Sequence, residues 1–293
     1  MNTYLSEPVR NQAETDFREL VRTPRLAWPT AILFVVCMLA IGTVSYLGLT
    51  GALPLWACTI LNGLSTYFLF SVVHDASHGA ISRNKALNDA FGHIGMIFFG
   101  PLAPFNLARW IHMQHHRFTN DPVKDPDGFG HKLDFLTPLR WISFDYFYTM
   151  FFLRQAGPMR KKFMGRLVLQ ICLVVTAIAV CTYFGYGLEM LMLWLLPTRI
   201  SSALFVAVFI CMPHAPFSKT SQEDEYQASN IRAGWEWLLT PLMTYQNYHL
   251  VHHLYPTAPF YRMLKIWNAR LDEHLSRNPY FVRTFSIGRP VSR

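Results

Sequence analysis

Charge is scarce in this chain. Only 15% of its 293 residues are charged, against roughly 25% in ordinary soluble domains. Hydrophobic residues make up 52%, and the mean hydropathy is +0.18. They are bunched in long runs, which disfavours a single soluble domain and favours a membrane protein. No Cys-x-x-Cys pair occurs. Cys37, Cys58, Cys172, Cys181 and Cys211 all sit inside apolar runs, so neither a zinc knuckle nor a disulfide framework is signalled. There is no glycine-rich nucleotide fingerprint, no cysteine set for an iron–sulfur cluster, no internal repeat, and no Glu-x-x-His of the soluble di-iron kind. No apolar core follows closely behind Met1, so a cleaved signal peptide is not expected. The net charge of +8 comes without a basic stripe interleaved with stacking aromatics, which argues against nucleic acid as a partner. Loops facing anionic lipid account for the same excess.

Four apolar runs are present, each long enough to span about 30 Å of hydrocarbon as a helix: Leu26 to Leu49, Leu53 to Val73, Leu167 to Gly185 and Met190 to Met212. The expected fold is an all-α integral membrane protein. Its four transmembrane helices form two hairpins, joined by interfacial or re-entrant helices and capped by a histidine-rich di-metal site. Residues 1–26 read as a cytoplasmic arm with an amphipathic helix around Glu14 to Val21, 27–275 as one membrane domain, and 276–293 as a tail. The run from Ala90 to Leu107 is broken by Gly92, Gly95, Gly100, Pro101 and Pro104, which suggests a re-entrant segment. Leu264, Trp267, Leu271 and Leu275, flanked by Arg262, Lys265 and Arg270, suggest a helix lying on the membrane surface. The turns near residues 50 and 187 carry no lysine or arginine. Every basic residue except Arg199 falls on the histidine side, which makes that side, and both termini, cytoplasmic. Arg199 would cost roughly 2.5–3.5 kcal/mol at mid-bilayer; it faces protein, caps a kink after Pro197, or meets a substrate head group. The Arg160-Lys-Lys162 cluster reads as a lipid anchor, with docking of an acidic electron carrier secondary.

Nine of the twelve histidines are grouped. His112, His115 and His116 stand at helical offsets of three and four, matched by His74 with His78 and by His249 with His252 and His253, while His214 ends the last apolar run. Such offsets put imidazoles on one helix face. One isolated histidine is usually structural, but three matched clusters are not a random scatter. A single zinc needs three or four ligands, so nine positioned histidines fit two metals with open positions. Iron is the preferred metal, although imidazole equally suits zinc or copper. Asp75, Asp121, Asp125, Asp127 and Asn247 could orient the imidazoles from behind; turn and cap chemistry competes for the aspartates near Pro122 and Pro126. His93, His131 and His274 fit no cluster and read as structural or exposed. Tyr67, Phe68, Phe70, Phe98 and Phe99 could line a lipid tunnel, with helix packing the more frequent explanation.

His74-Asp-Ala-Ser-His78-Gly79, His112-Met-Gln-His115-His116 and His249-Leu-Val-His252-His253 resemble the three histidine boxes of the membrane fatty acid desaturase superfamily, which includes carotenoid hydroxylases and ketolases. The resemblance runs from about residue 67 to 265. Asn247 to Tyr261 is similar to the last box of acyl-chain desaturases, His112 to Asp127 is closer to a carotenoid hydroxylase, and Met212-Pro-His214-Ala-Pro216 resembles the extra-histidine motif of ketolases. Ile210 stands where some desaturases place an asparagine. The resemblance implies a cytoplasmic di-iron site on His74, His78, His112, His115, His116, His214, His249, His252 and His253. It also implies dioxygen as cosubstrate and a ferredoxin- or rubredoxin-type carrier as external electron donor. The expected activity is fatty acyl desaturation in a bacterial inner membrane, with carotenoid hydroxylation or ketolation as the alternative. A zinc-dependent membrane hydrolase and a histidine-rich metal transporter are the readings from other classes.

Overall fold

The computed structural model describes residues 7–215 and 217–287. The first six residues of the expected arm, Pro216 of the extra-histidine motif and the last six residues of the expected tail lie outside that range. The chain runs through α1 (Glu7–Val21), α2 (Trp28–Leu49), α3 (Leu55–Ser77), α4 (Lys85–Phe99), α5 (Phe105–Phe118), α6 (Thr137–Ile142), α7 (Phe144–Gln155), α8 (Met159–Tyr183) and α9 (Gly187–His214). Then follow β1 (Asn230–Ala233), α10 (Glu236–Leu242), α11 (His249–Leu254), α12 (Met263–Ala269), α13 (Leu271–Ser276) and β2 (Tyr280–Arg283). Helices α2, α3, α8 and α9 are long and apolar enough to cross a membrane.

Helix α3 is the central one: 61% of its most apolar window is buried, against 11% in α2 and 17% in α8. Its polar residues explain how it grips α9. Pro197 has no N–H to give to Leu193, four residues back, so that carbonyl is freed, and α9 takes a π-helical form over Leu191–Leu195. Asn62 Nδ2 donates to the Leu193 carbonyl at 3.1 Å and to Ser45 Oγ at 3.0 Å, and Thr59 Oγ1 donates to the Met192 carbonyl at 2.6 Å. Side chains of α3 thus satisfy backbone groups that a hydrocarbon environment would leave stranded. A second π segment, Val206–Cys211, precedes Pro213 and carries the chain to His214.

Helix α4 is anchored to the end of α3. Asn84 caps it by accepting from the Ala86 and Leu87 amides, and Asn88 Nδ2 donates to the Ala76 carbonyl at 2.9 Å. The expected re-entrant segment divides here. Gly92 and Gly95 do not break the helix; only Gly100 to Pro104 interrupt it. The two glycines serve close approach instead, because a Cβ on Gly92 would lie 2.1 Å from the Phe105 ring and one on Gly95 would lie 2.5 Å from Val73.

Three further expectations need correction. The fold is not wholly helical: β1 and β2 pair in parallel, Asn230 opposite Tyr280 through Ala233 opposite Arg283. Arg232 on β1 is fully buried and donates to the carbonyls of Met212, Thr284 and Ser286 at 2.6–2.8 Å, tying the strand pair to the end of α9. The apolar stripe from Leu264 to Leu275 is not one surface helix. It splits between α12 and α13, and Trp267 packs into a core with Phe17 of α1, Tyr248 and Ile266. Helix α8 begins at Met159 rather than Leu167, so Arg160, Lys161 and Lys162 ride on its first turn.

Candidate metal centre

Three helix segments and one helix end bring the clustered histidines together. His74 lies in the last turn of α3 and His78 caps it; His112, His115 and His116 lie on α5; His249, His252 and His253 lie on the short α11; His214 ends α9. The structure sorts all nine into two groups. His74, His78, His112, His116 and His252 form one, and His115, His214, His249 and His253 the other. Within each group one ring nitrogen of every member lies within 4.8 Å of the rest. The groups adjoin: the rings of His116 and His253 stack with centroids 4.3 Å apart.

The nitrogens have the chemistry of a cation site. Nε2 of His78 and His112 lie 2.7 Å apart, those of His116 and His252 2.9 Å, and those of His249 and His253 3.0 Å. Nε2 of His74, His115 and His214 is buried with no hydrogen-bond partner, and a buried polar atom without a partner costs about 1–3 kcal/mol. A metal ion would satisfy these lone pairs. In the second group three of the four opposite ring nitrogens are already held. His115 Nδ1 donates to Asp125 at 2.9 Å, His214 Nδ1 to the Ala228 carbonyl at 3.0 Å, and His249 Nδ1 to Gln246 Oε1. Each such bond fixes the tautomer whose free lone pair is on Nε2.

Electrostatics favours neutral rings. Burial first, then the neighbouring imidazoles, pushes His78, His112, His116, His249, His252 and His253 well below the ordinary histidine value. His115 is the exception. Burial lowers it, but Asp127 and Asp125 outweigh burial and hold it up to about 9, so near neutral pH its Nε2 carries a proton that a bound ion would displace to reach the lone pair. Asp127 is itself pushed up to about 6 by burial.

The five residues expected behind the imidazoles divide. Asp125 and Asp127 both face His115 Nδ1, at 2.9 and 3.3 Å. Asp75 does not reach an imidazole; it accepts from Thr30 Oγ1 at 2.9 Å and from the Phe260 amide at 3.2 Å, tying α2 to the chain after α11. Asp121 caps its own turn through the Val123 and Lys124 amides, and Asn247 donates to Thr240 Oγ1 at 3.1 Å. Sequence reasoning missed Gln246 and Tyr148. Gln246 is one helical offset before His249, a legible signal. Tyr148 donates to Asp127 at 2.7 Å from 21 residues away, for which the sequence carries no cue. His131, expected to be structural or exposed, stacks on His214 with centroids 5.7 Å apart.

Beside the first group lies a cavity of about 350 Å³. His74 and His112 form part of its wall, and Phe70, Phe99, Phe144 and Phe205 supply much of the rest. Of the five aromatics considered for a tunnel, Phe70 and Phe99 therefore line it. Tyr67 instead donates to the Leu242 carbonyl, and with Phe68 and Phe98 it packs in the core.

Helices of membrane-crossing length that bring nine histidines together as two adjoining clusters, with an apolar cavity alongside, define a class of helical membrane protein with a candidate two-metal centre. The chain belongs to the fatty acid desaturase family, whose pattern matches residues 50–285, and it is an integral membrane protein. It is 37% identical to an omega-3 fatty acid desaturase of Caenorhabditis elegans over 109 residues, covering 37% of this chain and 26% of that protein. It is 28% identical to a beta-carotene ketolase of Paracoccus over 215 residues, 72% of this chain and 78% of the relative. A chloroplastic omega-6 fatty acid desaturase of Brassica napus is 26% identical over 239 residues, 72% of this chain and 52% of the relative. The chain thus spans most of the ketolase but about half or less of these two desaturases.

Proposed function

We propose that the chain is a non-haem di-iron oxidoreductase that desaturates a fatty acyl chain, taking electrons from an external ferredoxin- or rubredoxin-type carrier. The observation that carries this reading is the shared wall: His74 and His112 belong both to the first imidazole group and to the apolar cavity. The nine histidines would hold two iron ions, which supply the dioxygen activation that an unactivated C–H bond requires. The protein's own part is placement and exclusion of water. Phe70, Phe99 and Phe205 present an apolar surface to a methylene chain. Asp125, the Ala228 carbonyl and Gln246 keep the Nε2 lone pairs of His115, His214 and His249 available.

We also propose that the histidines face the cytoplasm of a bacterial cell from its inner membrane. The turns between α2 and α3 and between α8 and α9 carry no lysine or arginine, whereas Arg160, Lys161 and Lys162 sit at the opposite end of α8, the asymmetry expected of a cytoplasmic side. Oxygenation of a carotenoid is the second reading, supported by the 72% of the chain that aligns with the ketolase. Expression in a host that makes both fatty acids and carotene, followed by mass spectrometry of the lipid extract, separates them. A loss of two mass units in acyl chains supports desaturation, and a gain of sixteen (hydroxylation) or fourteen (ketolation) in carotene selects the alternative. Metal analysis that finds only zinc would turn the assignment toward a hydrolase.

A further inference from the structure

Only two lining residues of the cavity carry an ionic pair, Asp145 and Arg199. They lie away from the imidazoles: Phe209 packs on His74 with centroids 5.5 Å apart, and Arg199 is ten residues earlier on α9, roughly 15 Å along a helix axis. Arg199 Nη1 donates to both Asp145 carboxylate oxygens, at 3.0 and 3.1 Å, and to the Ile142 carbonyl at 2.8 Å; Nε donates to Thr198 Oγ1 at 3.1 Å. Nη2 has no partner among the described residues.

An arginine in an apolar helix is costly unless it is paired. Asp145 cancels its charge but leaves the Nη2 donor without a partner on the wall of a mostly apolar cavity, whose other polar lining residues are His74, Ser77, His112, Tyr146, Tyr148 and Thr149. A bare hydrocarbon end placed there would desolvate that donor and give nothing back, and a site built to hydrogen-bond its substrate discriminates against such an analogue. A carboxylate would meet the negative charge of Asp145. A neutral oxygen acceptor meets neither penalty.

We propose that Arg199 and Asp145 are a specificity-determining pair that receives a neutral oxygen acceptor of the lipid, an ester carbonyl or a hydroxyl. The substrate is then an oxygen-bearing chain rather than a pure hydrocarbon such as carotene. This deepens the reading above and rests on it, since the same cavity must be the one the substrate fills.

The test is displacement of a fluorescent polyene hydrocarbon, diphenylhexatriene, from the purified full chain in detergent by octadecane, octadecanol, methyl stearate and stearate. Methyl stearate or octadecanol, whichever carries the favoured acceptor, should displace about tenfold better than octadecane, the equivalent of one good hydrogen bond. In Asp145→Asn/Arg199→Met that preference should fall to about one with octadecane unchanged, and the ratio of wild type to variant cancels the lipids' different partitioning into micelles. The single variant Asp145→Asn uncovers the positive charge, so stearate should gain about tenfold over wild type. No preference in wild type, a preference retained in the double variant, or stearate unmoved by Asp145→Asn each overturns the pair's role. If none of the four lipids displaces the probe, the cavity itself is not the substrate site, and the functional reading fails first.

Discussion

His115 donates from Nδ1 to the Asp125 carboxylate at 2.9 Å, while its Nε2 is buried and has no partner. Asp125 is itself pinned, accepting from the Asn120 and Asp127 amides at 2.6 and 2.9 Å. The imidazole is thus oriented by a carboxylate that cannot rotate away. Partners of this kind are typically worth 10–100-fold in metal affinity. Asp125→Ala should therefore weaken iron binding by roughly that factor in a chelator competition, whereas Asp121→Ala, which touches only its own turn, should leave it unchanged. Equal losses in the two variants would show that Asp125 acts through turn stability alone.

The division of nine histidines into five and four has a stoichiometric consequence. If each group holds one ion, His115→Ala should lower bound iron from about two per chain toward one and abolish turnover. His74→Ala should remove the other ion. Metal analysis of the inserted, purified variants checks this, and full activity in either variant would argue against the ligand set.

How much of this site was legible depended on the range of each contact. The offsets within His112, His115 and His116 are local, so the shared face could be read directly from spacing. Asp75 and Asn247 misled for the same local reason. Neighbours one or two positions from a ligand point to other sides of a helix, and these two turn to Thr30 and Thr240. Tyr148 reaches Asp127 across an intervening chain that no periodicity announces. The strand pair was equally hidden, because β1 is four residues long and its partner follows some fifty residues later. The glycines of α4 were read as breakers, but their role is set by what lies opposite them, Phe105 and Val73, which only packing reveals.

That packing can be tested. Phe105 is 1% exposed, so its ring cannot withdraw from a methyl group placed 2.1 Å away. Gly92→Ala should therefore destabilise by roughly 1–3 kcal/mol, the usual cost of overpacking. Gly165, in α8, has nothing within 4 Å of the same position, and Gly165→Ala should stabilise by about 0.5–1 kcal/mol through helix propensity alone. Thermal unfolding of both variants in one detergent gives the comparison, and a stable Gly92→Ala would mean that α4 and α5 slide apart at little cost.

His274 gives a pH dependence separate from the metal centre. It is buried, stacks on Trp267 with centroids 5.1 Å apart, and shares Nδ1 with the Tyr226 hydroxyl at 3.2 Å. Burial, with Glu273 opposing and Arg270 adding to it, lowers its pKa. Because the folded value lies below the unfolded one, the fold resists a proton that the unfolded chain accepts. The neutral ring's contribution is present above about pH 6.5 and is lost as the pH falls below it, by at most about 1.4 kcal/mol per pH unit. His274→Gln cannot take up that proton in either state. Its stability deficit relative to wild type should therefore be largest near pH 7.5 and shrink toward pH 5.5, as read from denaturant unfolding of both proteins. A deficit that stays constant over that range would place the contribution of His274 in its stacking on Trp267 rather than in its charge state.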